Sequence, residues 1–145
     1  MNRFYGISVN WEKVIDTQQL AFEAVQALSE VKGKEIRLLD LTEVASFADF
    51  FVLATGDSHV HMRALADRVR KAMTKRGKHI GHSEGRESKS WILLDYETLI
   101  IHILSRRARE YYALEQLWGD AKVIRWDENH TFAGDTREKE VGLWV

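Results

Sequence analysis

The sequence predicts an α/β domain in which a mixed β-sheet is flanked by helices. Three observations predict it. Segments with helical and with strand periodicity follow one another in the order α-β-β-α-β-β-β-α. An apolar strand at Phe50 to Ala54 runs through a turn into a helix, which implies a crossover, while two later β-rich runs are joined by a short polar turn, which implies a hairpin. The chain has 145 residues, of which 45% are hydrophobic and 30% charged, so one domain can bury a core without covalent staples.

Each element has its own local reason. Asp16 with Gln19 resembles a capping box, Ala21, Ala24, Val25 and Leu28 then follow helical spacing, and Gly33 ends the helix. Glu35 to Leu41 reads as a strand, and Phe50 to Ala54 as a short buried one. Thr55-Gly56-Asp57 is turn chemistry, and Asp57 or Ser58 can cap the next helix. That helix carries the apolar stripe Met62, Leu65, Ala66, Val69 and Met73, and Gly77 stops it. Lys78 to His82 reads as a short edge strand. Trp91 to Leu94 and Leu99 to Leu104 form the hairpin around Asp95-Tyr96-Glu97-Thr98. Arg106 to Trp118 is a last helix, and Val123 to Trp126 either adds a strand or lies on the surface. The domain thus runs from 16 to 126, with an N-terminal extension (1–15) and an acidic, finally apolar C-terminal tail (127–145). The apolar end, Val141 to Val145, is expected to dock on its own domain, with partner binding as the alternative.

Composition narrows the function. There are 21 basic and 22 acidic side chains, so net charge gives no general attraction to nucleic acid. Cys is absent, which removes disulfides, thiolate metal sites and a Cys nucleophile. No apolar run is long enough to span a membrane, and Met1 to Trp11 lacks the pattern of a secretion or transit signal, so the expected location is cytoplasmic. Charge is unevenly spread. Met62 to Ser90 holds nine Lys/Arg against three acids, a local net of +6, and Asp127 to Val145 has a local net of −3. A solvated helix face accounts for the basic stretch, and an RNA-facing patch or a partner for the acidic tail is the alternative.

No catalytic constellation emerges. A nucleotide-transfer site needs paired carboxylates on alternate strand residues to hold Mg²⁺. The nearest pair, Asp95 and Glu97, sits in the hairpin turn, where turn formation explains it. His59 and His61, and His79 and His82, lack a third ligand at a recognisable spacing, so no metal is expected. Gly56-Asp57-Ser58 is followed by His59 and Val60, which fails the nucleophile-elbow pattern. Neither a Walker A nor a dinucleotide fingerprint occurs, and no cofactor is expected. What remains is an aromatic surplus: Trp91, Tyr96, Tyr111, Tyr112 and Trp118 fall within 28 residues. Taken singly, such side chains are better explained as core than as interface anchors, but as a set some should face a partner.

Three segments carry a family resemblance. Ala48-Asp49-Phe50-Phe51-Val52-Leu53-Ala54-Thr55-Gly56-Asp57-Ser58, the hairpin Trp91-Ile92-Leu93-Leu94-Asp95-Tyr96 with Ile101-His102-Ile103, and Arg109-Glu110-Tyr111-Tyr112-Ala113-Leu114-Glu115-Gln116-Leu117-Trp118-Gly119-Asp120-Ala121 resemble, in order, segments of the ribosomal silencing factor (Iojap-related) family. Glu97-Thr98, Leu104 and Asp57 depart from its pattern. The resemblance implies a nucleotidyltransferase-like fold that has lost catalysis, hence no enzyme. It implies binding to the fourteenth protein of the large ribosomal subunit, blocking small-subunit joining and repressing translation by steric exclusion. A homodimer is also plausible on this basis. By resemblance and chemistry, the expected partner-binding residues are Trp91, Leu94, Tyr96, Tyr112, Leu114, Leu117 and Trp118. Asp49 and His102 are expected to support that surface or to satisfy each other, and Lys71 and Lys75 to face rRNA. Alternation puts Trp91 and Leu93 on one sheet face and Ile92, Leu94 and Tyr96 on the other; one set is core, and both readings stay open. Two other classes also stay open: an RNA-binding module built on the basic stretch, and an active nucleotidyltransferase with Asp95 and Glu97 as metal ligands.

Overall fold

The structure, a computed structural model, describes residues 11–126 and 132–135. Its elements are α1 (Trp11–Glu30), β1 (Lys34–Asp40), β2 (Phe50–Gly56), α2 (His59–Lys75), β3 (His82–Glu84), β4 (Trp91–Asp95), β5 (Leu99–Ser105), α3 (Arg106–Tyr112), α4 (Leu114–Leu117), β6 (Lys122–Trp126) and β7 (Phe132–Asp135). The strands form one mixed sheet in the order β3-β4-β5-β2-β1-β6-β7. Only β2 and β5 pair in parallel, as a crossover through α2 requires; every other neighbour pair is antiparallel.

Strand alternation gives the sheet two different faces. Ile36, Leu38, Phe50, Val52, Ala54, Ile92, Leu94, Ile101 and Ile103 point to one side. There they pack against Ala21, Ala24, Val25 and Leu28 of α1 and the Met62, Leu65, Ala66, Val69 and Met73 stripe of α2. This is the main core. The other face carries Leu39, Phe51, Leu53 and Val123, with Leu41, Leu114 and Ala121 packed beside them. Its partial cover comes from α3, α4 and the segment that connects β1 to β2.

Local chemistry explains the boundaries. Ser58 caps α2 by accepting from the His61 N–H at 3.1 Å, and Ser105 caps α3 by accepting from Ala108 N–H at 3.1 Å. Gly56 lets α2 fold back tightly on β2, because a Cβ there would lie 2.7 Å from Met62 Cγ. Asp95 Oδ1 accepts the Glu97 N–H at 2.7 Å, an Asx turn that closes the β4–β5 hairpin.

Three expectations change, and one open alternative is decided. The first helix begins at Trp11, so Asp16 and Gln19 lie inside it and form no cap; the periodic segment simply extends further back. The short edge strand is His82–Glu84 rather than Lys78 to His82: the Lys78 N–H still bonds the Met73 carbonyl at the end of α2, and the ladder with β4 runs from His82 opposite Asp95 to Glu84 opposite Leu93. The last helix breaks at Ala113, which adopts a left-handed conformation (φ 45°, ψ 53°) and divides α3 from α4. Val123 to Trp126 belongs to a paired strand, β6, and Phe132–Asp135 of the C-terminal stretch pairs with it as β7. The expected docking of Val141 to Val145 lies outside the described residues.

Candidate functional site

The second sheet face holds a continuous run of aromatic rings. It starts at Tyr111, whose ring centroid is 5.0 Å from that of Tyr112 on α3. Tyr112 lies 4.8 Å from Trp91 at the start of β4, and Trp91 lies 5.6 Å from His102 on β5. His102 meets Phe51 of β2 edge-on at 4.6 Å. Phe51 then contacts Trp118 at 5.9 Å and Phe47 at 6.1 Å, and Phe47 and Trp118 are 5.6 Å apart. The belt therefore crosses β4, β5 and β2 and is closed at both ends by residues from the α3–α4 corner. Edge-to-face and tilted pairs at these spacings are the favoured aromatic geometries.

The belt is only half-covered. Tyr111 is 80% exposed and Phe47 and Tyr112 are also exposed, while Leu117 on α4 is 70% exposed. Hollows flank it at both ends. One, of about 310 Å³, lies against Gly85, Ser88, Trp91 and Leu93. The other, of about 630 Å³, is lined by Arg37, Leu39, Glu115, Gln116, Trp118 and Val123.

Polar groups set the orientation of the rings. The Trp91 indole N–H donates to His102 Nδ1 at 3.1 Å. That leaves the imidazole proton on Nε2, a buried atom with no partner among the described residues. Burial pushes the His102 pKa down to about 4, so the ring is neutral and available as Trp91's acceptor at neutral pH. At the other end, the Arg109 guanidinium is buried. Its Nε and Nη2 donate to Glu115 Oε2 at 2.9 and 2.7 Å, its Nη1 to Thr55 Oγ1 at 3.0 Å, and its Nη2 also to the Glu35 carbonyl at 2.7 Å. Burial pushes the Glu115 carboxyl up, but its bonds to and attraction by Arg109, with Arg37 nearby, outweigh that and hold it below the usual carboxylate range. Burial and the neighbouring Arg109 charge lower the Arg37 pKa.

The expected site residues divide between the two faces. Trp91, Tyr112 and Trp118 come together in the belt, Leu117 stands exposed beside them, and Leu114 supports the corner from below as a buried residue. Leu94 does not belong with them. It is 1% exposed and packs on the helix-covered face, because it alternates with Trp91 along β4. Tyr96 also packs against that helix-side core, and burial raises its phenol pKa despite the nearby Arg70 charge. Asp49 and His102 do not satisfy each other. His102 Nδ1 is taken by Trp91 and its Nε2 has no partner among the described residues, whereas the Asp49 backbone bridges Leu41 and Thr98. Lys71 and Lys75 are exposed on α2, in the layer on the far side of the sheet from the belt. Three cations of the basic stretch are consumed in ion pairs: Arg68 with Glu30, Arg76 with Glu23, and Arg86 with Asp67.

Sequence reasoning missed Phe47, Phe51, Arg37 and Arg109. Phe47 lies in a connection, outside any periodic run, and Phe51 looked like one more residue of a buried strand. Asp95 serves the hairpin turn, and among the described residues no group of three or more His, Cys, Asp or Glu is placed to hold a metal ion. No helix among them is long and apolar enough to cross a membrane.

Comparison with known proteins agrees with this fold. A family model described as "Ribosomal silencing factor during starvation" matches residues 14–142. The chain is 36% identical over 108 residues to the ribosomal silencing factor RsfS of Chromobacterium violaceum, covering 74% of this chain and 88% of that protein. It is 32% identical over 110 residues to RsfS of Halalkalibacterium halodurans, covering 76% and 94%. A crystal structure of a Chromobacterium violaceum protein superposes with a TM-score of 0.68 at 37% identity, over 70% of this chain and 85% of that one. With a family model matching residues 14–142 and relatives above 30% identity over most of both chains, the chain belongs to the ribosomal silencing factor family.

Proposed function

We propose that the chain binds the large ribosomal subunit through its fourteenth protein, seats the aromatic belt on it, and blocks small-subunit joining by occupying the shared face. Translation is repressed by exclusion alone, in the cytoplasm, without catalysis or a cofactor. The fold on this reading is nucleotidyltransferase-like in frame but built around a binding face.

The observation that carries the reading is the belt itself. Trp91 and Tyr112 on one side and Phe47 and Trp118 on the other are joined through the buried rings of His102 and Phe51 into one run, with a hollow beside each side. Contiguous apolar surface rimmed by polar groups is characteristic of protein docking sites. Aromatic anchors of this kind dominate interface energies, and a specific interface buries about 800 Å² per partner. His102 acts as a positioning residue, since its ring holds the Trp91 indole. Lys71 and Lys75 project from the opposite layer, so any rRNA contact they make involves a part of the subunit that wraps beyond the protein seated on the belt.

Sedimentation tests the reading. Full-length protein is expected to travel with purified large subunits and not with small ones, and to crosslink to the fourteenth protein. Co-sedimentation with neither subunit would refute it. Charge reversal at Lys71 and Lys75 separates the RNA contribution: a shallower salt dependence of binding supports an rRNA contact, and an unchanged one at low salt opposes it.

A further inference from the structure

We infer that the Arg109–Glu115 pair is a positioning clasp: it fixes the α3–α4 corner so that Tyr112 and Trp118 bracket the aromatic belt, and thereby sets affinity for the partner by shaping that surface. The inference rests on the ribosome-binding reading above and adds the residues that prepare the surface.

The corner cannot hold its own shape. Helix α3 spans seven residues and α4 four, lengths at which an isolated helix in water is not stable. Between them Ala113 takes a left-handed conformation, which an L-residue other than Gly keeps only where its surroundings impose it. Something outside the two helices must therefore set the angle between them. Arg109 is placed to do so. Its guanidinium is buried and reaches three elements at once: Thr55 at the end of β2, the Glu35 carbonyl on β1, and the Glu115 carboxylate on α4. Two of its N–H groups converge on a single Glu115 oxygen, so the fork fixes direction as well as distance.

The consequence falls on the belt. Tyr112 precedes the Ala113 break and packs on Trp91; Trp118 follows α4 and packs on Phe51 and Phe47. Both ends of the belt are thus hung from one corner, and the Arg109 cation, with buried Leu114 beneath, pins that corner to the sheet. Nothing in Arg109 or in the carboxylate it binds lies in the ring stack itself. Lys at 109 would keep the charge but lose the planar fork.

The test uses full-length protein with Glu115→Ala, Glu115→Gln and Arg109→Lys. Three quantities are read on each: affinity for purified large subunits, the assigned indole N–H resonance of Trp118, and the urea unfolding midpoint. Glu115→Ala is expected to weaken binding by about tenfold or more, as for loss of an interface anchor, and to displace the Trp118 resonance while unfolding stays cooperative. Glu115→Gln, whose amide oxygen can still accept from the fork, should recover most of both. Arg109→Lys should resemble Glu115→Ala. The clasp is overturned if the wild type binds and Glu115→Ala binds within twofold of it with the Trp118 resonance in place. It is equally overturned if affinity falls only in proportion to unfolded protein. Should the wild type itself not bind large subunits, the ribosomal reading fails, and the clasp with it, in an arm of the experiment that no variant enters.

Discussion

At Trp91 the indole N–H ends on a histidine that must stay neutral to receive it. His102 is a buried member of the belt, and protonating Nδ1 would set a second N–H against the indole. Burial lowers its pKa from 6.5 to about 4. The sign follows from which state takes up protons. Between these values the unfolded chain binds a proton that the folded chain refuses, so stability falls as pH drops below about 6.5 and levels off near the folded pKa. The loss amounts to about 3 kcal/mol at most. Glu115, held below its usual pKa mainly by Arg109 against the effect of burial, adds to acid destabilisation: its contribution is complete above the unfolded carboxylate pKa and is lost as pH falls through the folded one. Urea midpoints from pH 7.5 to 4.5 should therefore decline, and His102→Gln should flatten the part of the decline between pH 6.5 and 5. An identical slope in the variant would place the proton uptake elsewhere. For binding, Trp91→Ala is expected to cost on the order of 2 kcal/mol, roughly thirtyfold in affinity for the large subunit, while the far-ultraviolet circular dichroism stays unchanged.

Among the elements, the α3–α4 corner and the turn into α2 store the clearest constraints. Ala113 sits in the left-handed region, where Gly has no Cβ penalty, so Ala113→Gly should stabilise the fold by up to about 1 kcal/mol, read as a rise in the urea midpoint. Gly56→Ala should do the reverse, because its Cβ would meet Met62 at the first turn of α2; a loss of about 1–3 kcal/mol is expected in the same measurement. These two elements also show what could and could not be read from residues alone. The α2 stripe and its Ser58 cap were readable because helical spacing and cap chemistry are local. The break at Ala113 was not, since neither Gly nor Pro marks it. Arg109 and Glu115 are six residues apart, a spacing that no continuous helix brings together, so their pairing exists only once the helix has broken. Along β4, alternation separated Trp91 from Leu94 but could not say which of them faced inward. Both sets are apolar, and the answer depends on which side α1 and α2 cover.

At the scale of the molecule, division of labour between the two sheet faces is the organising fact. One face is spent on the core under α1 and α2, and the other is left half-covered with its rings aligned. The order of elements and the presence of a hairpin beside a crossover were readable in the sequence, and so was the aromatic surplus. The belt's continuity was not, because it joins residues from the β1–β2 connection, three strands and the α3–α4 corner, which only the assembled sheet brings together. The same arrangement puts the basic face of α2 and the belt on opposite sides, so their contributions to binding should be separable by salt: belt variants should lower affinity at all ionic strengths, and Lys71 or Lys75 variants only at low salt. The most direct test of the account is light scattering of purified small and large subunits on mixing, with the protein added to one or the other beforehand. The account predicts that joining is inhibited when the large subunit is preincubated with the protein, and that Trp91→Ala and Trp118→Ala, each folded, relieve the inhibition. Joining that proceeds unchanged with saturating wild-type protein would contradict it.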